Sequence, residues 1–481
     1  MILQTAFPFV FDFLRNTPIV VETSDAMLSS DAGLLAIRQF DERIGFTQAI
    51  AQALDDQRDP RLIAHSMLAM LRQRIYGILA DYEDQNDHDA LRRDPVFKMI
   101  AGLLPADPKH LASQPSLSRF ENAIATAVLF RLRDVLFDQF LASFEIRPPR
   151  VTIDLDAFDD PTHGDQQLTF FHGFYEQYQY LPIVASCAEN DMIMLVGLRF
   201  GTCAAFLGAD DDLRYMVRRI REAWPDMEIH VRADCGFGVP LMYETCEELG
   251  VTYTFGIGMN ATLKAASDEL LNKAVAGFES TGEKQRLFMR LEYQAESWDR
   301  PRTVIIKAEM HAGGENRRAV VSDRPAAWDF PEAIYDAYTE RGESENRNFE
   351  LKCDLRAERL SDHRFKANYF RLYLHTFALN LLIRLRNEVR TSPTPESLGL
   401  ATDLPVEALP EEEKRTYFNR RRVADVLGEG RPSTWRTRLI KVAAEVTQTS
   451  RRIVVKLSGT WPFQDHFEAI SGAALAMPPP G

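Results

Sequence analysis

Along the first third of the chain, apolar residues recur at spacings of three and four. "SSDAGLLAIRQFDERIGFTQAIAQAL" opens with Ser and Asp as capping candidates and then settles into the helical period. "HSMLAMLRQRIYGILADYEDQ" and "SLSRFENAIATAVLFRLRDVLFDQFLASF" continue that pattern. Residues 1–150 therefore predict an all-helical N-terminal domain, which "PPR" at 148–150 ends by breaking the period. The period then shortens to two. "VTIDLDAF" alternates as a strand, "YLPIVASCA" and "MIMLVGLRF" are apolar strands, and "DDDLRYMVRRIREAW" is a helix with acids in its first turn. "MEIHVRAD", "GVPLMYETCEELG" and "VTYTFGI" follow as strand, helix ending at Gly250, and strand. This succession predicts an α/β fold, a mixed sheet with helices on its faces, over 151–258.

From 259 to 330, "RLFMRLEYQAESWDRPRTVIIKAEMHAGGENRRAVVSD" supplies strands joined by polar turns, a β-rich insertion. Helices resume over 331–390, where "LYLHTFALNLLIRL" is apolar on all sides, too short to span a bilayer, and expected as a buried helix. The rest, 391–481, opens with the linker "TSPTPESLGLATDLPVEALPEEEK" and continues through the basic runs "RTYFNRRR", "STWRTRLIK" and "SRRIVVKL" to a fraying "MPPPG".

Composition narrows the classes. A net charge of −14 argues against a protein that coats DNA without specificity, because neutralising phosphates takes clustered Lys and Arg. Five cysteines, with no Cys-x-x-Cys pair, indicate neither a disulfide framework nor a thiolate zinc site, and read as reduced thiols in a cytoplasmic protein. The opening "MILQTAFPFVFDFLRN" lacks a basic n-region, and Asp12 interrupts its apolar run, so no signal peptide and no membrane partner are expected. The chain has no Gly-rich phosphate loop, so no nucleotide cofactor is expected.

The chemistry-bearing residues are acidic. Asp154 and Asp156, two apart on one strand, share a face, and Asp234 ends another strand before a glycine turn. In "YTERGESENRNFELK", Tyr338, Arg341, Glu345 and Lys352 are spaced by three, four and seven residues. On one continuous helix those four side chains fall within roughly a 60° sector. Two strand aspartates and a helix glutamate would offer hard oxygen ligands to two Mg²⁺ ions, a phosphoryl-transfer site. Arg341 and Lys352 would then hold phosphate. The plain alternative is a surface helix laced with ion pairs, weakened at Gly342. His163 and His172 lack a matching second pair and read as core or turn residues, and "DQNDHDALR" lacks the glycine of a calcium loop.

Together, "VTIDLDAFDDPTHGDQQLTFFHGFYEQYQYLPI", "VRADCGFG" and "ENRNFELKCDLRAERLSDHRFKANYFRLYLH" resemble bacterial insertion-sequence transposases with an Asp-Asp-Glu active site. The subgroup most alike is the IS-thirteen-eighty group of the IS-four superfamily, whose Tyr-x2-Arg-x3-Glu-x6-Lys signature is met in full. The resemblance implies an RNase H-like (retroviral integrase-like) catalytic core interrupted by the insertion, with Asp156, Asp234 and Glu345 as catalytic metal ligands. Asp154 competes with Asp156 for the first place, and Phe158 stands where relatives commonly carry Thr. It also implies Mg²⁺ (two ions, with Mn²⁺ as substitute), DNA contacts from Tyr338, Arg341 and Lys352, and cut-and-paste transposition, often through hairpin ends. The partners implied are double-stranded DNA, as inverted-repeat ends and target, and a second copy in a homodimer. An unpaired base in such an intermediate needs an aromatic to stack on. Trp298 either fills that role or fills the core of the insertion. The N-terminal region would bind the DNA end, with the basic residues around "RIYGILADYEDQNDHDALRR" as candidates. Two other readings remain: a catalytically inactive DNA-binding descendant acting as a repressor, and a general metal-dependent nuclease.

Overall fold

The computed structural model describes residues 8–14, 17–324, 330–391, 393–402, 404, 406 and 409–477. The opening run is therefore described only in part, and all of "MPPPG" after Met477 lies outside the described residues. A large mixed sheet forms the centre of an α/β architecture. Its eight strands are β1 (Arg150–Ala157), β2 (Ile183–Cys187), β3 (Ile193–Gly197), β4 (Glu228–Ala233), β5 (Thr252–Ile257), β6 (Gln285–Tyr293), β7 (Arg302–His311) and β8 (Gly314–Ser322). They lie in the order β6-β7-β8-β5-β4-β1-β2-β3. β1, β2 and β3 form an antiparallel meander, β4 runs parallel to β1, and β5 runs parallel to β4. β8, β7 and β6 then extend the β5 edge with antiparallel pairs. β2 and β3 are buried along their length, so they read as continuous apolar runs, whereas β1 and β4 alternate.

The helices that matter for the site are α1 (Ala209–Ala223), α2 (Pro240–Leu249), α3 (Pro331–Thr339), α4 (Gly342–Phe349) and α5 (Phe365–Val389). α1 carries Asp210, Asp211 and Asp212 in its first turn, and α2 stops at Gly250, whose φ of 60° suits a residue without Cβ. α5 is buried on nearly every side, packed against β3 and against the N-terminal helices. Among the described residues no helix is long and apolar enough to cross a membrane.

The N-terminal 150 residues depart from the all-helical expectation. Beside helices such as Leu34–Ile44, Phe46–Ala53, Met67–Leu79, Gln114–Asn122 and Thr126–Leu141, they hold three short strands. Phe9–Phe11 pairs with Ile19–Val21, and Met27–Ser29 joins a sheet with Ala444–Gln448 and Ile453–Leu457 from the far end of the chain. Pairing with a distant segment leaves no local period to read. The long runs also divide. Gly45 turns at φ 65° between the first two helices, and Asn122 donates from its side-chain nitrogen to the Ser118 carbonyl and to Asp362 where the later run breaks. Capping is mixed. Gly33 rather than a side chain precedes the first helix, whereas Ser66 accepts from the Ala69 N–H at the start of Met67–Leu79.

These helices share one apolar core with the sheet. A buried triad adds to it: Arg74 and Arg371 both donate to the fully enclosed Glu121 carboxylate, at 2.7 and 2.5 Å. Arg74, expected among the DNA-facing residues, is thus committed to the interior. Arg92 donates to the Leu111 carbonyl, and Arg93 remains exposed. The segment 259–330, expected to be β-rich, holds both strands and helices. Helices Ala261–Ala266 and Asp268–Thr281 precede β6, and its strands extend the main sheet. In the basic C-terminal stretch, "RTYFNRRR" lies on the helix Glu411–Ala424, and a last helix, Gln464–Ala476, packs on Leu34–Ile44.

Candidate active site

Two neighbouring strands set the register of the site. Arg232 on β4 lies opposite Asp154 on β1, and Ala233 opposite Leu155. Continued by one residue, that register would carry Asp234 alongside Asp156, and the charge of Asp234 does act on the Asp156 carboxyl. Because alternate side chains share a face, these are two successive rungs on one side of the sheet. The lower rung is a closed ion pair. Arg232 donates from Nε and Nη2 to the two Asp154 oxygens at 2.6 and 2.7 Å, and both side chains are 3% exposed. Arg232 also donates to the Ala337 carbonyl, tying the rung to α3. Burial pushes the Asp154 carboxyl up, and the Arg232 guanidinium opposes it.

The upper rung brings two carboxylates together at the strand ends. Asp156 Oδ1 accepts from the Ala157 N–H at 2.8 Å, and Asp234 Oδ1 accepts from the Gly236 N–H at 2.9 Å. Burial pushes the Asp156 pKa up to about 6. Arg341 and the Ala157 N–H pull it down, while Asp234 and Glu345 push it further up, so all three acids share one electrostatic neighbourhood. Arg341 sits among them, with Nη2 donating to Glu345 Oε1 at 2.8 Å and Nη1 at 3.6 Å from Asp156 Oδ2. Its buried Nε has no hydrogen-bond partner. Glu345 itself is 63% exposed, so that pair contributes little to stability.

The predicted single helix is interrupted. α3 ends at Thr339, and α4 begins at Gly342. Glu340 and Arg341 stay in helical φ and ψ, so Tyr338, Arg341 and Glu345 keep a common face. The guanidinium carbon of Arg341 lies 5.9 Å from the Tyr338 ring centre. A π-helical turn, Glu350–Asp354, then shifts the register beyond α4. Lys352, on that turn, donates to Asp159 Oδ1 at 2.7 Å instead of reaching Glu345.

Trp298 is not at the surface. It is 8% exposed, edge-on to Tyr243 and Tyr293 at 5.3 and 5.4 Å and 5.7 Å from the Arg302 guanidinium. It fills the junction of the insertion with α2 and leaves no face for a base. His172 has a turn role, its Nδ1 accepting from the Phe174 N–H.

Residues that motif spacing did not single out complete the groove. Lys307, Asn316 and Arg318 from β7 and β8 form the wall facing Asp234, Tyr338, Arg341 and Glu345, around a space of about 700 Å³. No spacing or motif in the insertion marks them. On β5, Gly256 lets the Tyr338 hydroxyl approach, because a Cβ there would stand 2.8 Å from that hydroxyl and 3.0 Å from the Cys235 nitrogen. Gly256→Ala is therefore expected to displace Tyr338 or the Asp234–Cys235 backbone. Overpacking of this kind costs about 1–3 kcal/mol. A lowered urea midpoint is the measurable outcome.

The donors of the triad are all carboxylate oxygens, the chemistry that Mg²⁺ or Mn²⁺ prefers. Their present spacing is open. Among the described residues no group of three or more His, Cys, Asp or Glu is gathered closely enough to hold a metal ion, and Arg341 bridges Asp156 and Glu345. Bound cations would require Arg341 to release those acids, which would free a guanidinium for a phosphate in the same groove.

Acids at and beyond the strand ends thus face a wall bearing Lys307, Arg317 and Arg318. The family model of the transposase DDE domain, group 1, matches residues 11–398, and the chain belongs to that family. It is thus an enzyme of the DNA-cutting transposase class. No curated protein matches it. Among solved structures, the piggyBac transposase synaptic complex with hairpin DNA is similar over 93% of this chain and 88% of that chain. The identity is 13% and the TM-score 0.38, a likeness too loose for any inference to rest on it.

Proposed function

We propose that the chain is the transposase of an insertion sequence, binding the terminal inverted repeats as a homodimer, cutting at the element's ends and joining 3′-hydroxyls to target DNA. The observation that supports this reading is the β1–β4 register, which continued by one residue carries Asp234 alongside Asp156, with Glu345 in the same electrostatic neighbourhood. The order β3-β2-β1-β4-β5, antiparallel through its first three strands and parallel thereafter, supports an RNase H-like core.

In this reading Asp156, Asp234 and Glu345 hold two divalent ions. When bound, those ions would make the attacking oxygen more nucleophilic and stabilise the leaving one. Arg341 grips the scissile phosphate through a fork of N–H donors, and Tyr338 packs against Arg341 and limits its swing. Arg318 and Lys307 steady the backbone from the opposite wall. Lys352, held by Asp159, fixes the loop that leaves β1 just after Asp156. The net charge of −14 is compatible with this, because the grip is a local groove rather than a general basic surface.

The test is strand cleavage of a labelled duplex carrying the element's terminal repeat. Cutting at the repeat boundary with Mg²⁺ or Mn²⁺ and none with EDTA is expected. End binding should weaken steeply with added salt. Binding without cutting, under every divalent ion, would make the protein a repressor. Cutting without regard to sequence would make it a general nuclease.

A further inference from the structure

Between β1 and β2 the chain makes an excursion, 158–182, that forms a separate three-stranded ribbon of Asp160–Pro161, Gln177–Tyr180 and Phe170–His172. Most of its aromatic residues face outward, whereas Phe158 and Tyr180 are buried. Phe174 is 83% exposed, Tyr178 59% and Phe171 49%. The rings touch in pairs, Phe171 with Tyr178 at 5.6 Å and Phe174 with Tyr175 at 5.0 Å. Large rings are normally drawn inside, so a cluster left in water marks a contact surface. The ribbon is also held in a defined shape. Glu176 takes φ 54° at its tip, a conformation that side-chain-bearing residues seldom adopt without support.

The position of the ribbon indicates what covers it. The excursion starts two residues after Asp156. Gln177 donates to Asp159 Oδ2 at 3.0 Å, while Lys352 donates to Oδ1 of the same carboxylate. Tyr175 feels the same acids: after burial, the carboxylates of Asp159, Asp234 and Asp156 push its phenol up. The ribbon is therefore tied to the chain just beyond Asp156, with Tyr175, and Phe174 in contact with it, on the side of the carboxylates. Composition selects the part of the DNA. Residues 158–182 contain no Lys or Arg and four acids, so the ribbon cannot grip phosphates and would repel a duplex backbone. Aromatic faces do bind bases, and bases offer their faces only when unpaired.

We propose that this ribbon is a stacking platform for unpaired bases of the DNA end held at the carboxylates, with Phe171, Phe174 and Tyr178 as the stacking rings. The proposal rests on the transposase reading above. It supplies, from an element the family signature does not include, the aromatic surface that the buried Trp298 does not.

The experiment uses the full-length protein and terminal-repeat duplexes that are either flush or carry four unpaired nucleotides at the cut end, with 2-aminopurine in the unpaired segment. Wild type is expected to bind the unpaired end more tightly and to quench 2-aminopurine. Phe174→Ser with Tyr178→Ser should lose that preference by about 5- to 150-fold per stacked base, and the quenching with it. Flush-duplex affinity and the urea midpoint should hold, since both side chains are largely in solvent. Phe174→Leu, which keeps apolar bulk without an aromatic face, should also lose quenching.

Unchanged preference and quenching in the serine variant overturn the platform. So does a change in sedimentation mass without a change in DNA preference, which would make the patch a contact between copies. A wild-type protein that fails to cut the repeat sinks the transposase reading. A wild type that cuts, with a serine variant that keeps its preference for unpaired ends, sinks the platform alone.

Discussion

Asp156→Asn is expected to reduce end cleavage by on the order of 10³-fold or more, because removing a metal ligand forfeits several kcal/mol of transition-state stabilisation. End binding should be nearly unchanged, since the phosphate grip is assigned to Arg341 and the opposite wall. Stability should move the other way. The Asp156 carboxyl has a folded pKa of about 6, above its usual value, because it is buried and faces two further acids. A raised acid binds its proton more tightly in the folded state, so this group's contribution to stability is fully present below about pH 4 and lost as pH rises through about 6. At pH 7 the ionised carboxylate is a net burden, and Asn relieves it by on the order of 1–3 kcal/mol. A variant that is dead in cleavage, intact in end binding and raised in urea midpoint at pH 7 but not at pH 4 meets all three expectations. Retained cleavage removes Asp156 from the site. Glu345→Ala should show the same loss of cleavage without the gain in stability, because Glu345 is largely in solvent.

Much of this site is legible in the sequence, and what escapes does so for identifiable reasons. The periods of β1, β4 and α1 are local, so alternation and first-turn acids reveal them. Asp154 and Asp156 cannot be told apart by alternation, since both lie on one face. The difference lies in the partner strand, where Arg232 stands opposite Asp154 and closes on it, while Asp156 lies past the last β1–β4 pair. Lys352 keeps its place in the motif but meets Asp159 rather than Glu345, because it lies on a π turn that shifts the register beyond α4. No spacing rule counts that turn. The helices at 261–281 and the strand at 27–29 depend on packing with distant segments, and tertiary context overrides a weak local pattern there. Trp298 reads equally well as a stacking ring or a core ring until the approach of Tyr243 and Tyr293 is known. The aromatic ribbon was in plain view as "FFHGFYEQYQY", yet sequence alone does not say whether such rings point inward.

Asp154→Ala is expected to do the opposite of Asp156→Asn, lowering stability by about 3–5 kcal/mol, the usual consequence of stranding one partner of a buried ion pair. The substitution leaves the Arg232 guanidinium enclosed with the Ala337 carbonyl and only an exposed acid, Glu340, at 3.3 Å in place of a bidentate carboxylate. Its effect on activity should follow from loss of folded protein, so cleavage per folded molecule in mild conditions falls far less than in Asp156→Asn. A second variant separates charge from space: Asp154→Leu with Arg232→Met removes both charges and keeps volume, and should recover most of the lost stability, because a buried pair often contributes no more than well-packed apolar side chains. Urea unfolding of the single and double variants, with cleavage measured on the same preparations, decides between the two aspartates. If Asp154→Ala unfolds as late as wild type yet cannot cut, then Asp154 holds the metal and Asp156 is its neighbour. If it unfolds early and the double variant recovers, the lower rung fastens α3 to the sheet and the upper rung is free for chemistry.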